Sequence, residues 1–127
     1  MRRRSFAALA AALPIGLAAL AAGAPAPAGD LEFFTGQMLY QRCSSKPADS
    51  DYAERQARCF GYVIGVSDAE QAAQGAGGRE RVCLPSTAAA PQLQGTVERY
   101  LEEHPDKRPL AAQDLVIEAL AAQYPCR

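Results

Sequence analysis

Apolar positions along this chain recur at three- and four-residue intervals, and no segment alternates apolar with polar residues over the length of a strand, so the pattern predicts helices. The densest stretch is Cys59 to Asp68, reading Cys-Phe-Gly-Tyr-Val-Ile-Gly-Val-Ser-Asp, with no charge before Asp68. A run this short could be a buried strand or the middle of a buried helix. Its flanks decide. Tyr52-Ala-Glu-Arg-Gln-Ala-Arg upstream and Ala69-Glu-Gln-Ala-Ala-Gln downstream are rich in helix formers and free of proline, which predicts one helix from about Tyr52 to Gln74. On it Ala57, Gly61, Gly65, Ala69 and Ala73 fall on every fourth position and form a stripe of small side chains. An interior glycine costs about 1 kcal/mol relative to alanine. Gly61 and Gly65 are therefore expected to be helix-packing positions, where a neighbouring helix comes too close to tolerate a methyl group. Asp68, about one turn beyond Ile64 and Gly65, is expected to be a partly covered polar anchor.

The remaining pattern divides into three shorter helices. Thr35 can cap one that runs through Gln37 to about Cys43, with Leu39 and Cys43 on one face. Ser44-Ser-Lys-Pro-Ala-Asp-Ser reads as a polar turn, and Asp51 with Glu54 three residues on resembles a capping pair for the long helix. Gly75-Ala-Gly-Gly ends that helix, Arg79-Glu-Arg continues as a charged loop, and Cys83-Leu-Pro re-enters the fold. From about Thr87 to Ala90 an amphipathic helix begins, with Pro91 in its first turn and Leu93, Val97, Tyr100 and Leu101 at three- and four-residue spacing. His104-Pro105 ends it. The last helix starts near Leu110 to Ala112, buries Leu115, Val116, Ala119 and Leu120, and stops at Tyr124-Pro125. The fold class is all-α, about four helices in two antiparallel hairpins.

The first residues have a different character. Arg2, Arg3 and Arg4 precede an apolar, alanine-rich segment from Phe6 to Ala22 and then small residues, the pattern of a secretory signal peptide. Cleavage is expected after Ala28, with Gly23 as the second choice, because Pro25 and Pro27 flank the other sites. The apolar segment is shorter than the roughly 20 residues that a spanning helix needs. No membrane association is expected after its removal. Without residues 1–28, the 13 basic side chains of the 127-residue chain become 10 against 14 acidic ones, a net charge of about −4. A mildly acidic domain with no basic stripe argues against nucleic acid as the partner. Residues 29–127 are enough for one modest core.

Cys43, Cys59, Cys83 and Cys126 all lie beyond the signal segment, and export to an oxidising compartment makes two disulfides the expected state. A zinc site would require close ligand pairs, whereas these cysteines are 16, 24 and 43 residues apart. In an antiparallel last pair of helices, the start of one lies beside the end of the other. That brings Cys83 to Cys126 and leaves Cys43 for Cys59. The competing pairing, Cys43 with Cys126 and Cys59 with Cys83, stays open if residues 75–82 run back along the long helix, a distance that extended chain can span.

Catalytic groups are sparse. The single histidine, His104, sits where a helix end favours a cation. Gly75-Ala-Gly-Gly lacks the Lys-Ser or Lys-Thr of a phosphate loop, and Glu102, Glu103 and Asp106 read as a solvated acidic end. No enzyme activity, metal or cofactor is expected, which leaves binding as the better functional class. The breadth of the apolar surface on the long helix also predicts a homodimer.

Five pieces of sequence carry a resemblance. They are Phe34-x-Gly36-x-x-Leu39-Tyr40-x-x-Cys43, Cys59-x-Gly61-Tyr62-Val63-x-Gly65-Val66-x-Asp68, Cys83-Leu84-Pro85, Tyr100-Leu101-x-x-His104-Pro105, and Ala119-Leu120-x-x-x-Tyr124-Pro125-Cys126. Together they resemble the Rap/Tai family of immunity proteins associated with bacterial type VI secretion, in order and over nearly all of residues 34–126. The resemblance implies a small helical periplasmic protein, dimeric in characterised members, that blocks a peptidoglycan amidase effector by covering its catalytic cleft with a surface that includes a protruding loop. Here the corresponding candidate is the short loop of residues 75–82, with Gly77, Gly78, Arg79, Glu80 and Arg81 as partner-binding residues. The alternative reading is a periplasmic structural or chaperone-like helical protein with no toxin target.

Overall fold

A helix that is apolar around most of its circumference belongs in the middle of a fold. In a computed structural model describing residues 34–127, that place is taken by the last helix and not by the long one. The elements are α1 (Gly36–Cys43), α2 (Tyr52–Gly75), α3 (Ala90–Glu103) and α4 (Ala112–Gln123). There is no strand among the described residues, only an isolated bridge between Thr35 and Ala111. The expected signal peptide over residues 1–28, with its cleavage after Ala28 or Gly23, lies outside the described residues.

Helix α4 carries no lysine or arginine and buries Ala112, Leu115, Val116, Ile117, Ala119 and Leu120. Around it stand Leu39 of α1, Cys59 and Val63 of α2, and Leu93, Val97 and Leu101 of α3, all in the core, and each helix touches the other three. Helix α2 contributes one stripe only, Cys59, Val63, Ser67 and Glu70. Its opposite face, including Ala57, Gly61, Gly65, Asp68 and Ala69, is exposed.

Two expectations for α2 are thereby corrected. A methyl group built on Gly61 or Gly65 would meet no atom of a neighbouring element within 4 Å among the described residues, so no described helix presses on either. The buried polar position is Glu70 and not Asp68. Close approach occurs instead at Gly36, where a methyl would collide with Leu115 Cδ1 and lie 3.0 Å from Arg108 O.

That approach has a purpose. The first N–H groups of a helix have no partners inside it. In α1, Gly36 N donates to Leu110 O at 2.8 Å and Gln37 N to Arg108 O at 2.7 Å, while Thr35 Oγ1 accepts from Met38 N as expected. In return Ala112 N, the first of α4, donates to Phe34 O at 2.9 Å. The two helix starts thus cap each other across the turn between α3 and α4. Arg108 secures this corner, with its guanidinium 3.5 Å from the Tyr40 ring centre and Nε donating to Leu101 O at 2.7 Å.

The expected capping pair at the start of α2 does not form: Asp51 makes no side-chain cap. Asp51 accepts from Arg55, and Glu54 pairs with Arg58, each at 2.7 Å along the helix surface. The start of α2 is held from its side by Gln56. Its Nε2 donates to Cys43 O at 2.9 Å, and its Oε1 accepts from Gln94 Nε2 of α3 at 2.6 Å.

Both cysteine pairs follow the antiparallel arrangement, Cys43 with Cys59 and Cys83 with Cys126, at Cα separations of 5.1 and 5.0 Å. The first is wholly buried. In the chain-entropy treatment, the links stabilise by about 3 and 4 kcal/mol respectively.

Candidate partner-binding loop

The loop after α2 is built from its two ends inward. At the helix end Ala76 N donates to Ala72 O, Gly77 N to Gln74 O and Gly78 N to Ala73 O. Gly77 takes φ +89°, the left-handed conformation that glycine accepts without strain. A methyl on Gly78 would come within 2.6 Å of Ala73 O. These two glycines therefore turn the chain sharply back along α2. At the other end Val82 is 1 % exposed. Next to it the Cys83–Cys126 link and a 3.0 Å bond from Cys83 N to Tyr124 O tie the chain to the end of α4.

Between these ends lies an ion pair that the sequence reading missed. Glu70, 5 % exposed, points from α2 to the loop. Its Oε1 accepts from Arg81 Nε at 2.9 Å and from Gln74 Nε2 at 3.1 Å, and its Oε2 accepts from Arg81 Nη2. Gln74 Nε2 also donates to Val82 O at 3.1 Å. The two-point contact with Arg81 holds the Glu70 carboxyl below its ordinary range against the opposing effect of burial. The same contact holds Arg81 firmly protonated. A carboxylate this deep is stable only with such a partner. The signal was present in sequence: continuing the stripe from Cys59 and Val63 by four and then three residues reaches Ser67 and Glu70.

Of the five residues expected to meet a partner, Gly77 and Gly78 shape the turn and Arg81 is an anchor. Arg79 and Glu80 are exposed and carry the remaining side-chain chemistry of the loop. The Glu80 carboxylate lies within 4.8 Å of the sulfurs of Cys83 and Cys126. Those sulfurs are bonded to each other and are not thiolate ligands for a metal. Beneath the loop, a groove of about 490 Å³ runs between α2 and α4, floored by Gly61, Gly65, Ala69 and Ala73 and walled by Tyr62 and Ile117. A second, polar cleft of about 620 Å³ lies between α1 and the start of α2, where Met38 and Arg42 face the Asp51–Arg55 and Glu54–Arg58 pairs.

His104 sits at the end of α3 as expected. Its ring stacks on Tyr100 with centroids 4.1 Å apart, and Nδ1 lies 2.8 Å from Tyr100 O. Nearby, Lys107 Nζ reaches Glu118 Oε2 at 2.7 Å and Tyr100 Oη at 2.9 Å, which fastens the α3–α4 turn.

The described residues thus form a helical frame that holds an anchored, exposed loop beside an open groove. The family model described as Rap1a immunity proteins matches residues 35–126, and the chain belongs to that family. Membership makes it an immunity-type protein, whose partner is a protein toxin. No curated protein sequence matches the chain significantly.

Proposed function

We propose that this protein is a periplasmic immunity protein that binds a peptidoglycan amidase effector of type VI secretion and inhibits it by covering its catalytic cleft with the 75–82 loop. The observation that carries the reading is the family match across residues 35–126. The exposed Arg79 and Glu80, held between fixed points, support the loop as the contact surface. The Arg2–Arg4 and Phe6–Ala22 pattern supports export, and the two disulfides suit the compartment that export reaches. Among the described residues no helix is long and apolar enough to cross a membrane. Inhibition on this reading is steric, with no bond made or broken.

The reading includes a homodimer formed through the open face of α2, where Phe60 is 39 % exposed beside the glycine stripe. Mixing the protein with an amidase effector from its gene neighbourhood and measuring peptidoglycan cleavage tests the function. Stoichiometric inhibition is expected, and no complex at micromolar concentration would sink it. Sedimentation of the protein alone tests the dimer, and a monomer mass that is independent of concentration would count against it.

A further inference from the structure

We propose that Glu70 is a positioning residue for the 75–82 loop, forming with Arg81 a latch that fixes the loop's shape before any partner arrives. Three observations converge on it. Glu70 is nine-tenths buried at the loop end of the buried stripe of α2, and both its oxygens are engaged by Arg81. Gln74 bridges the same carboxylate to the carbonyl of Val82, so the latch and the loop's buried end form one hydrogen-bonded unit. Backbone amides from Arg79 to Val82 make no backbone hydrogen bond among the described residues, so side chains and not a ladder hold this stretch in place.

A loop of this kind would otherwise sample many shapes, and affinity falls in proportion to the fraction that is competent to bind. The latch keeps that fraction high. It also divides the labour among three neighbouring charged residues: Arg81 is spent on the frame, and Arg79 and Glu80 are left for contact. Beside the neighbouring Arg79 and Glu80, Asp114 on α4 adds to the field that keeps Arg81 protonated, and Tyr62 on α2, its pKa raised first by burial, also feels the Asp114 carboxylate.

The test is ¹⁵N relaxation on the oxidised protein and on the Glu70→Gln, Arg81→Ala and doubly substituted proteins. In the parent, the amides of Arg79 and Glu80 are expected to show order parameters near ~0.85, and in each variant below ~0.6, with α3 and α4 unchanged. The double variant should be no looser than either single one, because the two side chains act as a unit. A loop already mobile in the parent would overturn the proposal. So would a loop that stays rigid in Arg81→Ala, or loosening shared equally by the core helices. If either single variant fails to fold, the doubly substituted protein carries the test, because it leaves no buried carboxylate without its partner. A final arm rests on the function proposed above: Arg81→Ala should weaken effector binding about tenfold. Loosening of the loop with undiminished affinity would leave the latch standing and remove the loop from the toxin interface.

Discussion

Replacing Gly61 and Gly65 by alanine should stabilise this protein, although a stripe of small residues in a long helix reads as the least tolerant place to add bulk. Each interior glycine costs about 1 kcal/mol relative to alanine, and neither added methyl would meet an atom of a neighbouring element within 4 Å among the described residues. The double substitution is therefore worth about 2 kcal/mol, because each methyl enters open space and the gain comes from the backbone preference of each position. For a domain of this size, 1 kcal/mol moves the melting temperature by roughly 4–8 °C, so a rise on the order of 10 °C is expected. Circular dichroism melts of dilute protein measure it. Gly36→Ala is the control of opposite sign, since its methyl would collide with Leu115 and crowd the backbone at Arg108. Overpacking of that kind costs about 1–3 kcal/mol. A lower melting temperature for the Gly61→Ala/Gly65→Ala protein at high dilution would refute the reasoning, because it would mean that part of the same chain covers the stripe. A gain that disappears as concentration rises would place a second copy there.

Chain entropy alone ranks the Cys83–Cys126 link above Cys43–Cys59, at about 4 against 3 kcal/mol. The wholly buried sulfurs of Cys43 and Cys59 add packing worth about 0.8 kcal/mol for each methylene-sized group, so denaturant midpoints should show Cys43→Ala/Cys59→Ala to be the costlier pair. Glu70 and Glu118 are both held below the ordinary carboxylate range, first of all by hydrogen bonds from Arg81 and Lys107. Their contribution is fully present above that range and is lost as pH falls through their folded values, so urea midpoints should be flat from about pH 6 to 8 and decline below about pH 5. Glu98, raised first by burial and then by Glu102, works in the opposite sense. Glu70→Gln should leave a shallower acid slope than the parent, and an unchanged slope would show that Glu70 is not a major source of it.

The helices were legible because their apolar positions recur at helical spacing, and the antiparallel last pair favoured the observed cysteine pairing without excluding the other. The standing of α2 was not legible. A glycine at a tight crossing and a glycine facing open space look the same in sequence, and only the position of the other helices tells Gly36 from Gly61 and Gly65. Gly36 was hidden for a second reason: what crowds it, Leu115 and Arg108, lies far along the chain. Likewise Arg81 looks like one of three equivalent loop charges, because its partner lies on α2, about one and a half turns before that helix ends, on a face that reads as apolar. The bounds of the loop could be read in advance, but which of its charges stay exposed could not.

The seating of α1 also orders events in time. An eight-residue helix is too short to persist alone, and its first two amides find acceptors only at Arg108 and Leu110. The α3–α4 hairpin, whose contacts are local, is therefore expected to form first and α1 last, with folding φ-values near zero at Leu39 and higher at Val97 and Leu120. High values at Leu39 would reverse that order. A chain delivered N-terminus first would then keep α1 unfolded until the residues around Arg108 and Leu110 arrived, so that the first of the described helices to emerge would be the last to acquire structure.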